Sequence, residues 1–370
     1  MTGLNFTSNL ELVNSSEMLN DTCLNCTVIF PRNLGAQMYS TVIISLIGIG
    51  LNFVICYAII KKKLLNSSIY AFIFNISISD IITLFGLILY TFISNVRQGE
   101  VTMLHHIVCK CTTFILSMSF TVSILCLAAL AIDRYYIMQD NQIYKPSLKG
   151  NRRIKIVIVL IWIYAAATNS PQLHLLQVTA DGTCDIYYYG DNYNLPYFVA
   201  VLISNFCLPV VVMIVTYRKI ILRLKVTVVN SHLDSSASSY RDNFQVYRRR
   251  TISTIKMIVV ASVVYMITSF PVPIIMVAAA AKKMTIAELR HNVHPVLSSL
   301  ITVGLAISVL CCIQNPIIYL IFNSALRDAL PKWCCCCKSC NKYEDDGNTI
   351  IIQGNIFSFT DCSLVNNLLR

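Results

Sequence analysis

The sequence predicts an all-α membrane protein: a bundle of seven transmembrane helices with a short amphipathic helix after the seventh. Three observations carry this. The 370 residues are 56% hydrophobic and only 13% charged, with a mean hydropathy of +0.64, whereas a soluble domain carries about 25% charged residues. Seven apolar stretches are each long enough for a hydrocarbon core about 30 Å thick. Lysine and arginine are also one-sided. With the N-terminus outside, 23 of the 29 fall in cytoplasmic loops and tail, among them Lys61, Lys62, Lys63, Arg152, Arg153, Arg248, Arg249 and Arg250. Arg32, Arg97, Lys110, Lys282, Lys283 and Arg290 are left outside. The formal charge of +11 is therefore a topology signal and calls for no nucleic-acid partner, although the anionic lipid of the inner leaflet favours it.

Residues 1–36 read as an extracellular tail. Asn5, Asn14, Asn20 and Asn25 each open an N-x-Ser/Thr glycosylation acceptor. No charged-apolar-small leader precedes them, so the first span is expected to act as its own insertion signal. The core, 37–333, holds helices near 37–60, 69–94, 107–137, 154–174, 196–224, 250–281 and 296–322. Polar residues inside these stretches are costly in hydrocarbon and turn toward the bundle interior. They are Asn52 in span 1, Asn75 and Asp80 in span 2, Ser123 in span 3 and Asn315 in span 7. The asparagines also suit interhelical hydrogen bonding. Pro171, Pro209, Pro271, Pro273 and Pro316 fall inside spans 4 to 7, where each removes a backbone bond and sets a kink. The segment 226–247, rich in Ser, Asn and Asp, reads as a loop.

The sixteen cysteines divide by compartment. Outside, Cys109 and Cys184 could pair, and Cys23 with Cys26 offers a second disulfide. Inside, the tail 334–370 opens on Cys334, Cys335, Cys336, Cys337 and Cys340. Four adjacent cysteines with no nearby histidine cannot aim four thiolates at one zinc ion, so palmitoylation is the expectation. Ser and Thr further along the tail are candidate sites for a receptor kinase and arrestin. No phosphate loop, metal-ligand cluster or nucleophile-base pattern appears, so no catalytic residues and no enzyme activity are expected.

The informative pair is Asp133-Arg134, which ends the apolar run of span 3 at its cytoplasmic mouth. "GLN" ending at Asn52, "NISISD" ending at Asp80, Cys109, "DRY" at Asp133, Arg134 and Tyr135, Trp162, Cys184, Pro209 with Tyr217, Pro271, and "NPIIY" from Asn315 through Pro316 to Tyr319 follow in order, each on its own span or loop. This set resembles the rhodopsin-like (class A) family of G-protein-coupled receptors from about residue 37 to 333.

The resemblance implies a plasma-membrane receptor that drives nucleotide exchange on a heterotrimeric G protein. Asp133 would hold Arg134 while the bundle is closed, and Tyr217 and Tyr319 would approach that arginine from spans 5 and 7. It assigns a buried allosteric sodium ion to Asp80, with Ser123 and Asn315 as helpers, beside the softer Cys311 and Cys312. It places Ile124, Pro209 and Tyr265 in a packing switch beneath the ligand, with Ser269 and Pro271 above them on span 6. Ser269 stands where the family carries a tryptophan. Thr251 stands where an acidic partner for Arg134 is usual, which implies raised basal activity.

Ligand class narrows by exclusion. Leu116 occupies the amine receptors' aspartate position and Val309 the opsins' lysine position, so neither a cationic amine nor a Schiff base is expected. The pocket implied by the resemblance is lined by Tyr90, Leu116, Ser117, Phe120, Phe198, Asn205, Val272, Met276, Leu305 and Val309, a lining for a peptide end or a neutral, lipid-like molecule. The loop 181–194 would lie over its mouth, where Asp181, Asp185 and Asp191 could attract a basic peptide. A seven-helix channel or transporter would need polar groups along a path across the bilayer; Asp80 is the single deep acid. A non-coupling receptor-like scaffold is the other alternative, suggested by Ser269.

Overall fold

The computed structural model describes residues 34–93, 103–139, 151–178, 184–186, 193–231 and 238–330; the side chains of 34–37, 93, 139, 151, 224–231 and 238–251 are outside the description. Six of its helical units are long and apolar enough to cross a bilayer. A pair bent by 45°, Pro295–Val309 with Cys311–Phe322, makes the seventh. Span 1 is Leu34–Lys61, span 2 Ser68–Ile93 and span 3 Met103–Gln139. Span 4 is Asn151–Asn169 with one further turn, Gln172–Leu175. Span 5 runs as Asn194–Val201, a π-helical turn Leu202–Cys207, and Leu208–Ser231. Span 6 is Ser238–Ser269 followed by Pro271–Lys282. The glycosylation acceptors, Cys23, Cys26 and the cysteines from Cys334 onward lie outside the described residues.

Long side chains such as Leu46, Phe53, Val211 and Ile267 point outward, as a hydrocarbon environment requires, while Phe72, Ile124, Leu127, Met213, Met257 and Tyr319 fill the interior. At one end of the bundle, strands β1 (Leu176–Val178) and β2 (Cys184–Ile186) pair antiparallel with Val178 opposite Cys184. A short helix, Ile286–Asn292, joins spans 6 and 7. It opens on a capping box in which Thr285 Oγ1 accepts from Glu288 N and Glu288 Oε2 accepts from Thr285 N.

Several boundaries differ from the expectation, each for a backbone reason. Span 4 runs from Arg152 to Leu175 as expected, with its helix interrupted at Ser170 and Pro171. Pro171 starts the separate turn, and Ala167 O, which the proline N cannot serve, accepts from Ser170 Oγ at 2.9 Å. Span 6 begins at Ser238, because residues 238–250 hold neither Gly nor Pro, and most of the segment 226–247 is helical. Pro271 and Pro273 sit in the first turn of Pro271–Lys282, where missing N–H groups cost little. In span 7 the break falls at Leu310 and not at Pro316; Pro316 lies inside Cys311–Phe322. Cys312 O, left without the N–H of residue 316, accepts from Asn52 Nδ2 of span 1 at 2.9 Å. The helix expected after span 7 is a single turn, Ser324–Arg327, capped by Asn323 Oδ1 accepting from Leu326 N and seated by buried Leu326 and Ala329.

Spans 6 and 7 approach through Gly304, where a Cβ would stand 2.9 Å from the ring carbon Cβ of Pro271. A proline ring cannot rotate away. Gly304→Ala is therefore expected to cost about 1–3 kcal/mol through overpacking, read as a lowered melting temperature of the purified protein, while Gly50→Ala, where the space is open, should leave it unchanged.

Candidate functional site

All ten residues expected to face a ligand line one cavity of about 560 Å³. Thr83, Leu84, Leu87 and Tyr90 come from span 2, Leu116, Ser117, Phe120 and Thr121 from span 3, Phe198 and Asn205 from span 5, Val272 and Met276 from span 6, and Leu305 and Val309 from span 7. Cys311 and Cys312 lie at its deep end, next to the Asp80 network.

One wall carries a polar ladder that the sequence reading did not assemble. Ser117 Oγ donates to Gln172 Oε1 at 2.7 Å, and Gln172 Nε2 donates to Asn169 Oδ1 at 3.3 Å. Asn169 Nδ2 and Asn205 Nδ2 both donate to Thr121 Oγ1, at 3.1 and 3.4 Å. Asn169 and Gln172 flank Ser170 and Pro171, so the break in span 4 swings both amides into the bundle. The polar run "TNSPQ" at the end of an apolar stretch was the available signal.

The roof is the β1–β2 hairpin, tied to span 3 by the Cys109–Cys184 disulfide and to span 2 by Tyr90 Oη donating to Cys184 O at 3.1 Å. Asp185 was expected to offer its charge to a ligand, and its position differs from that. It is buried, and its carboxylate accepts from the N–H groups of Ile186 (2.7 Å), Ile286 (3.2 Å) and Ala287 (3.3 Å). It thus caps the helix Ile286–Asn292 from outside that helix and fastens hairpin to connector. Burial pushes its carboxyl above the usual carboxylate range, against the lowering effect of those three donors. Asp181 and Asp191 lie outside the described residues.

Deeper in the bundle, Asp80 Oδ1 accepts from Ser123 Oγ at 3.2 Å and Oδ2 from Asn315 Nδ2 at 3.1 Å. Asn315 Oδ1 is buried with no hydrogen-bond partner. A carboxylate, a hydroxyl and an unspent amide oxygen are hard donors of the kind a sodium ion takes, so the donor set fits that ion. Between this cluster and the cavity, the rings of Phe120 and Tyr265 stand 5.9 Å apart, and Tyr265 Oη donates to Phe120 O at 3.2 Å. Ile124, Pro209 and Ser269 are buried beside them, and Ser269 Oγ donates within its own span to Met266 O.

At the end of the bundle opposite the hairpin Arg134 Nε donates to Asp133 Oδ2 at 3.1 Å, its Nη2 ion-pairs with the same oxygen, and Nη2 donates to Ser68 Oγ at 2.8 Å. Ser68 Oγ in turn donates to Asp133 Oδ2 at 2.7 Å, so span 2 closes the clasp. Ser68 was not anticipated. Tyr217 and Tyr319 do not reach Arg134. Tyr217 Oη is 2.6 Å from Ser262 Oγ of span 6, and Tyr319 Oη is buried without a partner. Tyr135 lies under two cations, Lys219 and Arg223, at 5.6 and 5.5 Å from its ring centre. The side chain of Thr251 is outside the described residues.

A seven-span bundle with a roofed cavity at one end and an ion-paired arginine at the other has the organisation of a membrane receptor. Residues 51–319 match the family described as 7 transmembrane receptor (rhodopsin family), and the chain belongs to that family. It is also similar to the RYamide receptor of Tribolium castaneum, with 24% identity over 356 residues that cover 87% of this chain and 89% of that receptor.

Replacing Asp185 by Ala leaves three backbone N–H groups without their acceptor, at a cost of about 1–3 kcal/mol for a buried unmet group. Hydrogen exchange at Ile286 and Ala287 should quicken at least several-fold in Asp185→Ala; unchanged protection there would show that the connector is held by other contacts.

Proposed function

We propose that this protein is a plasma-membrane receptor, N-terminus outside, that binds a peptide in the roofed cavity and promotes nucleotide exchange on a heterotrimeric G protein. The observation that carries the reading is the convergence of ten residues from spans 2, 3, 5, 6 and 7 on one cavity beneath a disulfide-tied hairpin. Similarity to an RYamide receptor favours a peptide over a lipid-like ligand, and the amide ladder offers partners to a peptide backbone. Arrestin and a receptor kinase would act on the cytoplasmic tail. A non-coupling scaffold is the competing reading, favoured by the small Ser269 in place of a tryptophan.

In this reading Arg134 is released from Asp133 and Ser68 when span 6 moves out, and it then meets the G protein. Thr251 supplies no acidic clasp, so the closed state lacks a restraint of about 1 kcal/mol and part of the population is active without ligand. Asp80, Ser123 and Asn315 would hold sodium, which when bound supplies a counter-charge to the buried carboxylate and favours the closed arrangement.

Ligand-free nucleotide exchange, in membranes matched for receptor number, is expected above background in the parent chain, at background in Arg134→Ala and reduced in Thr251→Glu. Exchange at background in all three would overturn the raised basal activity and favour the scaffold. In the same assay, replacing potassium by sodium at constant ionic strength should lower exchange in the parent and leave Asp80→Asn unaffected; an equal sodium effect in both would remove the ion from Asp80.

A further inference from the structure

Arg290 lines the same cavity at its extracellular end, on the last turn of the helix Ile286–Asn292. Its Nε is sealed from solvent and makes no hydrogen bond. Among the described residues the one ion pair is Asp133–Arg134, at the opposite end of the bundle. The two acids on the adjoining elements are already occupied. Asp185 gives both oxygens to backbone N–H groups, and Glu288 closes the capping box on Thr285. A cation in a helix's last turn is favoured by the helix dipole, but that does not account for the sealed, unpaired Nε of the half-buried Arg290, which lines the cavity along with Asp185. A buried polar group left unpaired is costly and calls for a partner from outside the chain.

We infer that Arg290 is an anion-recognition residue, and that the cavity takes a ligand with an apolar body whose carboxylate is bound by its guanidinium. The planar fork of Arg matches the two oxygens of a carboxylate, and the low polarity around it strengthens the pairing. Below it the cavity offers mostly apolar lining from spans 3, 5, 6 and 7, with the amide ladder on one side. This fits the free carboxyl end of a peptide or of an acylated amino acid. A simple fatty acid shares the chemistry but leaves the ladder unused. The inference rests on the proposed reading only in taking this cavity as the ligand site.

The probes are N-decanoylglycine, N-decanoylglycinamide and decanoate, titrated against the purified full chain in a neutral detergent with calorimetric detection. The parent should bind the acid about tenfold or more tightly than the amide, the difference a charge-assisted bond makes. Arg290→Gln should bring the ratio near one with the amide's affinity unchanged, which also shows the variant folded; Arg290→Lys should keep part of the preference. Decanoylglycine binding more tightly than decanoate marks a peptide-type end and equal binding a fatty acid, and either supports a carboxylate at Arg290. Equal binding of acid and amide by the parent, no binding of either, or a preference that survives Arg290→Gln overturns the inference. Acid-selective binding without Arg134-dependent exchange would sink the coupling reading alone, whereas Arg134-dependent exchange without acid selectivity would sink this one alone.

Discussion

A carboxylate buried in a bundle surrounded by hydrocarbon has to be solvated by the protein itself, and Asp80 organises the interior on that account. An unmet ionisable group within the bilayer costs several kcal/mol. Spans 3 and 7 each deliver a donor, from Ser123 and Asn315. Asn315 can do so because span 7 is bent at Leu310 and continues through Pro316. That proline frees the carbonyl of Cys312, which Asn52 of span 1 takes up. Four spans are thereby keyed to one carboxylate by bonds that are specific in length and direction, which dispersion between apolar helices is not. Span 4 joins through a separate relay, Trp162 Nε1 donating to Asn75 Oδ1 and Asn75 Nδ2 to Cys126 Sγ. Span 6 joins span 7 through Thr268 and Gln314.

This network lies between the two ends that the proposed function has to connect. The cavity's deep residues Cys311 and Cys312 adjoin Asn315 in sequence, and Cys312 carries the carbonyl held by Asn52. A ligand that presses on this stretch of span 7 acts on the element that also orients Asn315. At the other end Arg134 is held wholly by spans 2 and 3, through Ser68 and Asp133. Its release is a local event that span 6 can permit but does not directly oppose in the described contacts. The roof is built in the same way, from bonds between segments remote in sequence: the disulfide to span 3, Tyr90 to Cys184, and Asp185 to the connector between spans 6 and 7.

The number of spans and the ten cavity residues were legible in the sequence because hydropathy and ordered motifs act through local chemistry. The polar ladder was not, because Asn169 and Gln172 face inward only after span 4 breaks before Pro171, and a proline in a run does not say on which side the chain turns. Asp185 reads as a loop acid ready for a ligand; its burial depends on the helix Ile286–Asn292, a hundred residues onward, presenting bare N–H groups to it. Tyr217 carries a family position, yet its hydroxyl goes to Ser262, a polar residue that no motif marks. Asp133, Arg134 and Asp80 were legible for the opposite reason: an ionised group beside hydrocarbon is anomalous whatever its neighbours turn out to be.

With a residue as small as Ser269 above it, the span 3 to span 6 contact beneath the cavity falls to Tyr265. Ser269 is buried but bonds only within its own helix, so it neither fills the space of an indole nor bridges spans. Tyr265, one turn deeper, does both. Its ring packs on Phe120, which lines the cavity, and its hydroxyl donates to Phe120's backbone carbonyl. A phenylalanine there would supply the ring without the bond. Parting that buried hydroxyl from its acceptor would cost about 1–3 kcal/mol unless another partner appeared. Spans 3 and 6 are thus held together directly beneath the cavity, at Phe120, a residue that also lines it.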